Sequence, residues 1–153
     1  MTNKAKDYLH AAVAGASPVG LVILLYERLI VDLTRALAAM ETGKMEARVA
    51  ALNHAYLILG QLQGSLDSGK APEAARTQAL FYSVARGKIF EAHLKSDGKV
   101  LEEQIALLND VRAAWEQVDP GRNAKPPLPP PLPITAALVD QDGEGISLLN
   151  ASA

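Results

Sequence analysis

Cysteine is absent from this 153-residue chain. Its absence excludes disulfides, thiolate nucleophiles and cysteine-bearing structural zinc sites. It also fits a reducing compartment, so the expected location is cytoplasmic. Aromatic residues supply only 5% of the sequence. With alanine and leucine abundant in their place, the composition favours helix over strand. Long hydrophobic runs are missing too. The longest, Leu21 to Tyr26, is six residues, against the ~20 a bilayer requires, so no membrane insertion is expected. Charge of one sign is equally scarce. Residues 1–118 carry 13 basic and 13 acidic side chains, residues 119–153 carry 2 and 4, and the net charge is −2. Neither nucleic acid nor an anionic membrane surface finds an electrostatic partner here. The N-terminal MTNKAKDYLHAAVAGA has lysines and a small-residue end, but Asp7 and His10 interrupt its middle, and a signal peptide is not expected.

Proline punctuates the first 118 residues only at Pro18 and Pro72. Each sits where a helix would start, since the missing N–H costs nothing at the first helical position. Ser17 before Pro18 is a serine N-cap. A first helix is predicted over about 18–41, with Val22, Leu25, Tyr26, Leu29, Leu33, Ala36, Leu37 and Met40 facing a core, Arg28 and Asp32 opposite, and Gly43 as terminator. A second is predicted over about 44–68, with the stripe Met45, Val49, Leu52, Tyr56, Leu59, Leu62 and Leu66 and a Ser68-Gly69 stop. The third runs over about 72–95 through Ala75, Gln78, Phe81, Tyr82, Ala85, Ile89 and Ala92. The fourth is capped by Asp97 and runs to about 118 through Leu101, Ile105, Leu108, Val111, Trp115 and Val118, with Glu102 and Glu103 in its first turn. Four helices of this length on short links form an all-α, antiparallel up-down four-helix bundle. The expected division is a bundle over 1–118, including an N-terminal cap over 1–16, and a tail over 119–153. PPLPPPLP at 126–133 favours extended polyproline II acting as a semi-rigid spacer, and the small, acidic residues after it are expected to be disordered.

Catalytic and metal-binding chemistry finds little support. His93, in Ala92-His93-Leu94-Lys95, faintly resembles the histidine of phosphotransfer bundles, but its lysine falls two residues on and off its face. His10 and His54 show no carboxylate at ligand spacing and are expected on the surface. Asp140-Gln141-Asp142-Gly143-Glu144-Gly145 resembles half a calcium loop, but Ala151 stands where the bidentate glutamate belongs. No Glu-x-x-His pair of the di-iron type is present. No enzyme activity, cofactor or metal is expected.

The surplus lies in YLHAAVAGASPVGLVILLYE, residues 8–27. Six apolar residues open helix 1 and cover more than the ~100° stripe a surface helix needs. The excess requires a second cover, and the half-polar segment before Ser17 is the nearest removable one. Tyr8, Leu9, Val13, Leu21, Leu24, Leu25 and Tyr26 are therefore the candidate client-binding and cap residues of a protein that binds chains in an apolar groove.

Placed in order, these residues resemble the FliS family of flagellar secretion chaperones. The family's opening pattern is matched by Tyr8, Val13, Ala16-Ser17-Pro18, Leu21-Val22, Leu24-Leu25 and Tyr26-Glu27. Asn53-His54-Ala55, Ile58, Leu62 and Leu66-Asp67 follow its midsection. Phe81-Tyr82, Ile89, Ala92 and Asp97 match its third element, and Glu103, Leu108, Arg112, Ala114 and Trp115 its last. Gly15, His93 and Thr77-Gln78 depart from the pattern. The tail has no counterpart in compact members. The resemblance implies a cytosolic export chaperone that binds the disordered C-terminal region of flagellin and prevents premature polymerisation. It would then deliver the client to an export-gate component of the flagellar type III apparatus. The free protein is expected to be a monomer or weak dimer, with the segment around Tyr8 to Ala16 leaving a groove on Gly15 as a hinge. The alternatives are a helical adaptor or secretion chaperone for a non-flagellin client, and a phosphotransfer bundle.

Overall fold

The computed structural model of the chain describes residues 17–66, 69 and 71–118. They form four helices: α1 Pro18–Glu41, α2 Met45–Gly64, α3 Pro72–Lys95 and α4 Gly98–Gln117. The expected cap (Tyr8, Leu9, Val13, with Gly15 and His10) lies outside the described residues, as do the acidic turn at 140–145 and the whole tail from 119.

The boundaries follow local chemistry. Ser17 is extended, at φ −67° and ψ 166°, and its Oγ accepts from the Gly20 N–H at 3.0 Å. Ser17→Ala should lower unfolding free energy by about 1 kcal/mol, read in a urea titration as an earlier midpoint at unchanged slope. At the other end Gly43 takes φ +68°, and the Lys44 N–H reaches back to the Ala39 carbonyl at 2.8 Å. This is the six-to-one closure of a Schellman motif, which glycine permits without a Cβ penalty. α3 ends the same way with Ser96 in the left-handed position at φ 51°. Its hydroxyl accepts from Arg48 at 3.1 Å, so a buried arginine of α2 ties that corner down. Asp97 then starts α4 at once, accepting from the Lys99 N–H at 3.1 Å.

α1 packs against α2 and α4, α3 against α4 and α2, so the four close a ring in chain order, with α1–α2 the most extensive contact and α2–α3 the least. Tyr26, Leu29 and Leu33 meet Leu52, Leu59 and Leu62, Phe81, Tyr82 and Ile89, and Leu101 and Leu108 at the centre. The α3 stripe lies inward as the periodicity predicts, Gln78 included. The up-down bundle is the observed architecture.

Four local expectations are corrected. α2 ends at Gly64, before Ser68. Its buried face is Arg48, Ala51, Leu52, Ala55, Ile58, Leu59 and Leu62, while Met45 and Val49 are exposed. Ala51 and Ala55 share the inner face with Leu52, Ile58, Leu59 and Leu62, which rotates the stripe away from Met45 and Val49. Glu102 and Glu103 fall after the first turn of α4, because the Asp97 cap sets the start at Gly98. Asp32 does not stand on a solvent face beside Arg28: it is buried, with His54 Nδ1 2.5 Å from its Oδ2. His54 therefore does have a carboxylate partner, supplied from α1.

Candidate functional site: an apolar groove at the start of α1

The N-terminal half of α1 cannot bury all its apolar surface against its neighbours. Tyr26 and Val19 turn inward, and Leu21, Val22, Leu24 and Leu25 are left along a groove of about 600 Å³. Pro18 and Val19 complete its α1 wall, Gln61 of α2 and Ser65, the C-cap of that helix, form the opposite rim, and Trp115 of α4 contributes its indole. Arg28 is the single charged lining residue among those described. A largely apolar trough with a few polar groups at its edge suits an apolar segment of a chain.

Of the sequence-predicted residues, Leu21, Leu24 and Leu25 are brought together here. Tyr26 lies beneath them, fully buried. Its hydroxyl donates to the Tyr82 hydroxyl at 3.2 Å, with ring centroids 6.3 Å apart and tilted by 52°. Burial pushes the Tyr26 phenol far above its ordinary pKa, and the Tyr82 hydroxyl it donates to raises it further. Burial also lifts Tyr82, to about 12, against a smaller opposing effect of the bond it accepts. The Trp115 indole lies near enough to the Tyr26 hydroxyl to interact with it, although Nε1 completes no full hydrogen bond. Sequence reasoning missed Gln61, Ser65, Arg28 and the groove-facing side of Trp115. Gln61, Ser65 and Trp115 reach α1 only through the packing of the neighbouring helices, which no local pattern marks, and Arg28 sits one turn beyond Leu24 on α1 itself.

The frame beside the groove is polar. Arg112 of α4 bonds Glu116 one turn on and reaches Glu27 of α1 at 3.7 Å. It bridges α4 to α1, the helix that carries most of the trough. A second, shallower groove of about 640 Å³ runs between α1 and α2, floored by alanines and flanked by Arg28, Arg35, Lys44 and the Asp32–His54 pair.

Among the described residues no three His, Asp or Glu side chains gather as metal ligands. His93 has its Nδ1 buried and unpartnered, and Lys95 is engaged with Glu91 at 3.2 Å. The amide and hydroxyl groups at the groove rim can orient a bound backbone, but they form no nucleophile–base pair.

Comparison with known proteins bears on what such a groove serves. The family model described as flagellar protein FliS matches residues 1–122. The chain belongs to the FliS family. Within it, the flagellar secretion chaperone FliS of Salmonella typhimurium is 31% identical over 113 residues, covering 73% of this chain and 84% of its own length. FliSB of Pseudomonas aeruginosa is 29% identical over 110 residues, 72% and 87% of the two chains. FliS of Vibrio cholerae is 26% identical over 115 residues, 75% and 85%. The FliS match takes in the N-terminal segment and all four helices and stops before the proline run at 126–133. Among the described residues no helix is long and apolar enough to cross a membrane.

Proposed function

We propose that this FliS family member is a cytoplasmic, non-enzymatic export chaperone that binds the disordered C-terminal region of flagellin. It would keep that region from polymerising and present it to the export gate of the flagellar secretion apparatus. Family membership supports the chaperone role in flagellar export. The observation that carries the client assignment is the apolar trough of Leu21, Val22, Leu24 and Leu25 at the start of α1. A filament-forming chain hides its assembly surface by laying apolar side chains into such a trough. Residues 1–16 immediately precede it in sequence, so Tyr8, Leu9 and Val13 are proposed as its removable cover.

A 1:1 complex with the flagellin C-terminal segment is expected, with Kd between about micromolar and nanomolar, or roughly −8 to −12 kcal/mol. Calorimetry should show a fall in heat capacity, because apolar surface is buried on binding. Trp115 is the only tryptophan and lines the trough, so its emission should shift in the same titration. Absence of both signals would defeat the flagellin assignment. Deleting residues 1–16 should leave the bundle folded, since Ser17 and Pro18 start α1 by themselves, and should tighten the client. If Tyr8 instead touches the client, Tyr8→Ala alone weakens binding at unchanged stability. Equal affinity for wild type, deletion and Tyr8→Ala would remove the cover from the mechanism. A non-flagellin client would show instead as binding of another exported chain with no response to flagellin.

A further inference from the structure

We propose that the groove between α2 and α3 binds a polyproline II segment, and that its occupant is this chain's own residues 126–133. The site goes beyond the chaperone reading and does not depend on it. Tyr56, Ser83, Arg86, Gly87 and Phe90 line a groove of about 470 Å³ along the least extensive contact between adjacent helices of the ring. The Phe90 ring is 52% exposed. The Arg86 guanidinium lies over the Tyr56 ring, 5.8 Å from its centroid, and donates to Gln63 Oε1 at 3.2 Å, which holds both side chains in place. Gly87 adds no side chain, and nothing would stand within 4 Å of a Cβ there, so the floor beside Phe90 is open.

Polar donors distinguish this groove from a merely greasy face: the exposed Ser83 hydroxyl and the Arg86 guanidinium lie along it, where a carbonyl of an occupant can accept from them. A proline-rich strand is the ligand chemistry that matches. Its carbonyls accept, its prolines have no N–H of their own to satisfy, and its rings pack flat on aromatic faces. Exposed aromatic, polar donors and open floor are the parts of a polyproline II site.

The same chain carries PPLPPPLP at 126–133. The eight steps from Val118 to Pro126 span up to about 28 Å. α4 ends beside the start of α3, to which it runs antiparallel, and Ser83 lies eleven residues into α3, about 17 Å along its axis. One helix diameter of about 10–12 Å separates α4 from the groove on the far side of α3. The combined path of roughly 21 Å is within reach. Tethering also raises the segment to an effective concentration of roughly millimolar, so a weak intrinsic affinity suffices.

The absence of cysteine makes a clean test possible. Ala124→Cys in the full chain gives one attachment point for a nitroxide, and backbone amide spectra report what it approaches. The expected result is that Ser83, Gly87 and Phe90 lose most of their signal, equally when the labelled protein is diluted into unlabelled protein. Adding Phe90→Ser should restore those signals and lower the melting temperature no further than deleting residues 119–153 does, since Phe90 itself is 52% exposed. Diffuse weak broadening, or broadening centred on Leu21 to Leu25, would overturn the proposal. So would broadening that transfers to unlabelled molecules in the mixture, which would place the segment on a second copy.

Discussion

Trp115→Ala should cost about 3–5 kcal/mol of unfolding free energy, a large share of the 5–15 a domain of this size holds. Trp115 is 8% exposed and packs into the core from the last turn of α4. The loss should appear as an earlier urea midpoint. Trp115 also lines the α1 trough, so the substitution should weaken client binding in the same protein. Trp115→Phe separates the two effects. It keeps most of the buried area and should recover most of the stability, while affinity recovers only as far as the client uses the indole. A variant whose melting temperature shifts by less than a degree or two would mean that the indole carries little of the core.

Which parts of this were legible in the sequence follows from how local their causes are. Ser17, Pro18, Gly43, Pro72 and Asp97 act within one turn of themselves, so the starts of all four helices and the end of α1 could be placed from pattern. α3 was legible down to its buried glutamine because its apolar residues sit on one stripe. α2 was not. Its apolar residues surround the helix, with Met45 and Leu57 exposed while Ala51 and Ala55 are buried, and periodicity cannot choose a face when size and burial run against each other. The Asp32–His54 pair joins residues 22 apart on two helices, and no spacing rule reaches across a turn whose geometry is unknown. The site divides in the same way. Leu21, Leu24 and Leu25 stood out as surplus on one helix. Gln61, Ser65 and Trp115 became part of the groove only once the ring of helices had closed.

Stability should fall steeply above pH 10, and the buried tyrosine pair sets the window. In the unfolded chain Tyr26 and Tyr82 ionise near the ordinary value of 10. In the folded protein Tyr82 holds its proton to about 12, and Tyr26 holds its own beyond the alkaline range, because both phenols are buried and joined by one hydrogen bond. The folded state therefore binds more protons than the unfolded state above pH 10, and stability declines as pH rises. The contribution is fully present below pH 10. Once both unfolded phenols have ionised the slope approaches about 3 kcal/mol per pH unit, one increment of roughly 1.4 for each retained proton. By pH 12 the accumulated loss is on the order of 5 kcal/mol, enough to unfold a domain of ordinary stability. Urea titrations at pH 9, 10, 11 and 11.5 measure the curve. Tyr82→Phe should remove one retained proton and about halve the slope, since phenylalanine fills the same space with nothing to ionise. An unchanged slope in Tyr82→Phe would show that groups other than this pair govern the alkaline limit.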